Sequence, residues 1–117
     1  MKLVIQFFDE KKGTRSEPIS GTPGEILSSF DHLETSLREQ VEEHSKMTDR
    51  LSTGPVQEFN QAVQLYDQAC DSLDRFLDSF VIVILEQHSD DPDDMRVSRI
   101  PILKRENFVT VLKEKAQ

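Results

Sequence analysis

The densest set of metal-seeking side chains in this 117-residue chain is His88-Ser89-Asp90-Asp91-Pro92-Asp93-Asp94, one imidazole and four carboxylates. Hard cations take carboxylate oxygens, so calcium or magnesium binding is the first chemistry to weigh. The spacing argues against it. The acids do not alternate, no glycine marks the centre, and no glutamate closes the loop. A solvated acidic connector is expected, with no metal site.

The other reactive types are scattered. His32, His44 and His88 include no i, i+4 pair and no His-Glu-x-x-His pattern. Cys70 is the one cysteine, so no internal disulfide forms, and a cytosolic setting is the default. Its helical spacing makes it a small hydrophobe, and no histidine lies close enough in sequence to activate it. Gly13, Gly21, Gly24 and Gly54 suit turns and helix ends and form no phosphate loop. The expectation is a protein with no catalytic residues and no cofactor, hence not an enzyme.

Carboxylates carry the more suggestive pattern. Asp67, Asp71, Asp74 and Asp78 recur at steps of four, three and four, which places them on one helical face. Glu39, Glu42 and Glu43 add charge to the preceding helix. The chain carries a net −8, and residues 17–95 hold 18 acids against Arg38, Lys46, Arg50 and Arg75. Residues 1–16 are net +2 and residues 96–117 net +4. Like charge disfavours direct nucleic-acid binding by the acidic middle. A basic protein partner suits it, and an acidic decoy that mimics a nucleic-acid backbone would have this layout. A solvated face that keeps an apolar rod in solution is the plainer role.

These side chains must be positioned by helices. Thr22-Pro23-Gly24-Glu25 is a helix start, with Thr22 as cap, Pro23 at the first helical position and Glu25 three residues after the cap. Apolar residues at steps of three and four carry that helix from about 23 to 51. Ser52-Thr53-Gly54-Pro55 breaks it, with Gly54 suited to positive φ and Pro55 to the first turn of the next helix. A connection this short makes antiparallel neighbours. The second helix is expected over about 56–88, as a coiled-coil-like rod. Phe59, Tyr66, Leu73, Phe76, Phe80 and Ile84 lie on its apolar stripe. Phe80-Val81-Ile82-Val83-Ile84-Leu85 is ambiguous, being β-branched yet in helical phase. With no Gly or Pro between Val56 and Leu85 to end it, helix is favoured.

Residues 2–8 read as a strand, Gly13 as a turn, Thr14 to Ser20 as a short return interrupted by Pro18, and 97–103 as an edge strand able to pair with 2–8. Asn107 onward fits a short terminal helix, with a strand as the alternative. The fold class is thus α+β, mostly α: a helical hairpin with a small β element, in one domain over 1–117. The longest apolar run is six residues, against about 20 for a membrane span. A stripe this wide needs more than one neighbour. The functional expectation is an interaction or assembly module that self-associates through its apolar helical face into a homo-oligomer. The alternatives are an acidic inhibitor of a basic protein and a small anion binder using Lys2, Arg15, Arg96, Arg99, Lys104 and Arg105.

Overall fold

A computed structural model describes residues 1–87, 93, 95–97 and 100–116, without the side chains of 95–97. Apart from Asp93, an exposed turn residue, the acidic loop 88–94 lies outside the described residues, as does Arg99. The elements run β1 (Lys2–Asp9), β2 (Thr14–Arg15), β3 (Ile19–Gly21), α1 (Pro23–Leu51), α2 (Val56–Leu77), β4 (Phe80–Gln87), β5 (Met95–Val97), β6 (Leu103–Lys104) and α3 (Arg105–Ala116). The chain is α+β and mostly helical, with α1 and α2 forming the long hairpin. It divides into two compact units: Met1–Phe30 with Asp78–Gln117, and Asp31–Leu77.

The first unit is built on an antiparallel sheet. β1 and β4 are its central strands; β2 and β3 pair along the free side of β1, and β5 and β6 along the free side of β4. Leu3, Ile5, Val81 and Val83 turn to one face, and Ile26 and Phe30 of α1 with Phe108 and Leu112 of α3 cover it. Phe30 bridges the layers, its ring centroid 5.0 Å from that of Phe7 and 6.1 Å from that of Phe108. The Thr22 cap forms as expected: its Oγ1 accepts from the Glu25 N–H at 3.3 Å, and its carbonyl accepts from Ile26. Gly13 takes a φ of 65° in the β1–β2 turn, and its N–H donates to the Asp9 carbonyl.

The chief correction concerns Phe80 to Leu85. The expected helix over about 56–88 ends at Leu77, and Phe80–Gln87 is the inner strand β4. Asp78-Ser79 supplies the break; both residue types favour turns over helix interiors. The β-branched run then pairs with β1 along almost its whole length. A continuous apolar run is what a strand flanked on both sides presents, and its accidental helical phase was the misleading signal. The regular stripe therefore covers three sevenfold repeats, not four.

Three smaller corrections follow. The strand expected at 97–103 is two short strands, β5 and β6, and both pair with β4 because β2 and β3 already occupy the other side of β1. Gly54 has no positive φ; its N–H donates to the Leu51 carbonyl at 3.0 Å in an ordinary turn. Pro55 stands just before α2, and its carbonyl accepts from Phe59. The last helix starts at Arg105, where the backbone N–H donates to the Ser79 carbonyl at 2.8 Å.

Candidate functional site

In the second unit the hairpin buries little. Ala62 and Ala69 are the buried residues of α2, while Phe59, Val63, Tyr66, Cys70, Leu73 and Phe76 remain half-buried. Leu33, Met47 and Leu65 are more than 40% exposed and Val56 is 73% exposed. One antiparallel neighbour covers one flank of a three-residue-wide stripe and leaves the other flank wet. Half-burial of the long side chains follows from that geometry.

The acids line this hairpin as solvated groups. Glu39, Glu42, Glu43, Asp67, Asp71 and Asp74 are all exposed. Asp78 departs from the expected row: it is exposed, but lies in the turn after α2, because the helix stops one residue earlier. Three of the unit's four bases are engaged within their own helices. Arg38 pairs with Glu34 at 3.6 Å, Lys46 with Glu42 at 3.1 Å, and Arg75 with Asp71. Such exposed i, i+4 pairs contribute only about 0.3–0.5 kcal/mol each. Glu39, Glu43, Asp67 and Asp74 have no ion pair among the described residues. The unit holds ten acids against four bases, a net −6 of the chain's −8.

The Cys70 side chain, one turn on, holds the Tyr66 phenol above its ordinary value, first through hydrogen bonding and then through its charge. Cys70 is half-buried on the stripe. Tyr66 and Cys70, at i and i+4, are thus neighbours on one face of α2.

The first unit carries a second surface that the sequence did not reveal. Along β1 the side chains alternate, so Val4, Gln6 and Phe8 turn away from the core. On β4, Phe80 and Ile82 do the same. A bulge follows: Val4 pairs with Leu85 and Ile5 with Val83, so Ile84 is the extra residue. Two residues opposing one keep Ile84 and Leu85 both off the buried face and return Glu86 to it, where it is only 7% exposed. The outer face is therefore apolar and half-buried, and none of its residues belongs to the core cluster.

Registers across the sheet place charge around this face. Arg15 is opposite Phe8, Phe8 opposite Phe80, and Phe80 opposite Lys104, a cation-aromatic-aromatic-cation row. Lys2 shares the face at the far end of β1. Arg15, Lys104 and Lys2 are exposed. Every described strand residue on this side is apolar, uncharged or basic. Gln6, the polar residue at its centre, donates from its Nε2 to the Ser16 carbonyl at 3.0 Å.

The expected anion cluster is brought together only in part. Lys2, Arg15 and Lys104 share a sheet face, but Arg15 and Lys104 stand three strands' spacing apart, about 14 Å. Arg105 opens α3 and is half-buried. Among the described residues no three His, Cys, Asp or Glu side chains converge as metal ligands. No described helix is long and apolar enough to cross a membrane. Compared with known protein families, curated proteins and solved structures, the chain finds no match.

Proposed function

We propose that this chain is a non-enzymatic interaction module that self-associates and presents its acidic hairpin to protein partners. The observation that carries this reading is the hairpin's incomplete burial: α2 fully buries two alanines, its large apolar side chains are only partly covered, and Val56 and Leu65 are exposed. Apolar surface of that extent on a small protein marks an interaction site. Phe59, Tyr66, Leu73 and Phe76 on α2 are the residues assigned to it. Phe80 and Ile84, expected on the same rod, lie instead on the outer face of the sheet, the other partly exposed apolar surface. A cytosolic setting accords with one free cysteine.

Light scattering on the whole chain tests the proposal. A mass of two or more copies at micromolar concentration is expected, falling toward one copy in Leu73→Ser. A monomeric wild-type chain at every concentration overturns it.

A second reading has a specific observation behind it: four hairpin acids, Glu39, Glu43, Asp67 and Asp74, lack ion pairs among the described residues. An acidic inhibitor of a basic protein would use them. Capture of basic proteins that weakens as salt rises would favour it, and salt-insensitive capture would remove its basis.

A further inference from the structure

Resting on the self-association proposed above, we propose that the outer sheet face of one copy seats helix α2 of a second copy. The two surfaces complement one another in both chemistry and charge. The sheet face has an apolar centre of Val4, Phe8, Phe80, Ile82, Ile84 and Leu85, with Lys2, Arg15 and Lys104 at its margin. The helix has an apolar stripe through Phe59, Tyr66 and Leu73, with Asp67 and Asp74 beside it. The sheet face carries no described acid, and the hairpin's unit is net −6.

Like-with-like docking is the poorer arrangement on the same grounds. Hairpin against hairpin sets −6 against −6, with only Arg50 left outside the intrahelical pairs to offset it. Sheet against sheet opposes basic margins. Sheet against helix sets opposite charges together.

The available area is adequate when the contact is reciprocal. An eight-residue strand is about 26 Å long and a helix about 10 Å across, so one contact hides about 260 Å² from each copy. Two such contacts around a two-fold axis would remove about 1,000 Å² in total, the lower bound for a specific contact between proteins. A two-fold pairing also closes the assembly, where a single head-to-tail contact would propagate.

Charge exchange in the full-length chain tests this arrangement. The doubles Arg15→Glu/Lys104→Glu and Asp67→Lys/Asp74→Lys change exposed positions, and circular dichroism verifies that each folds. By sedimentation equilibrium each double alone should associate at least about tenfold more weakly than wild type. An equimolar mixture of the two should recover association, because only the mixed pair sets opposite charges together in both contacts. Unchanged association of both doubles would overturn this docking and leave self-association standing. A wild-type chain that is monomeric throughout would overturn both. Binding of a labelled single-stranded oligonucleotide that is lost in Phe8→Ala/Phe80→Ala would also overturn it, by giving the face to a nucleic acid.

Discussion

Phe8 of β1 and Phe80 of β4 stand directly opposite one another, on the side of the sheet away from Leu3, Ile5, Val81 and Val83. Their rings are half-buried, whereas Phe108 beneath the other face is fully buried. The contrast predicts a division of labour that mutation can read. Phe108→Ala should destabilise the fold by about 3–5 kcal/mol, through lost burial and the cavity left behind. Phe8→Ser should cost the fold only about 1 kcal/mol and act mainly on association. Urea denaturation at low protein concentration separates the two effects.

The start of α1 rests on a small set of atoms. Thr22 Oγ1 satisfies the Glu25 N–H, and a Cβ added at Gly21 would come within 2.9 Å of the Glu25 carboxylate. Thr22→Ala should lower stability by about 1 kcal/mol, and Thr22→Ser should restore most of it. Thermal unfolding of both variants beside wild type measures the difference.

Gly13 holds the β1–β2 turn with a φ of 65°, and an added Cβ would meet nothing within 4 Å. The penalty for a side chain there is conformational, not steric crowding by neighbours. Gly13→Ala should cost about 1 kcal/mol, and Gly13→Asn less, because asparagine tolerates the left-handed region. Equal losses in the two variants, measured by urea denaturation, would contradict this account of the turn.

Tyr66 is the one tyrosine, and the chain has no tryptophan, so phenolate absorbance follows a single group. The hydrogen bond to Cys70 raises its pKa above the ordinary 10.0. The folded state then binds the proton more tightly than the unfolded state. This contribution to stability is complete below the unfolded value and is lost as pH rises through the folded one. Titration should show a midpoint above that of a Cys70→Ala variant. Coincident midpoints would show that the pair is not formed.

Local chemistry was largely legible in the residues. Thr22-Pro23-Gly24-Glu25 names its own helix start, and α1 runs over Pro23–Leu51 as its spacing predicts. Strand β1 and the Gly13 turn are likewise readable from β-forming residues and a single glycine. Tertiary choices were not. Phe80 to Leu85 satisfies the helical period and the strand composition at once, and only pairing with β1 decides between them. That error carried Asp78 onto a helix it does not join and hid the outer sheet face. The row of Arg15, Phe8, Phe80 and Lys104 joins residues from four strands, and no local pattern encodes such a register. The turn chemistry of Asp78-Ser79 was the available hint.

The partly covered apolar stripe and apolar sheet face together make self-association the central claim, and the sedimentation behaviour of the wild-type chain tests it most directly. Over about 1–200 μM at low salt, the weight-average mass should climb from one copy, 13.5 kDa, to a plateau of at least two. A mass fixed at one copy across that whole range would contradict the account.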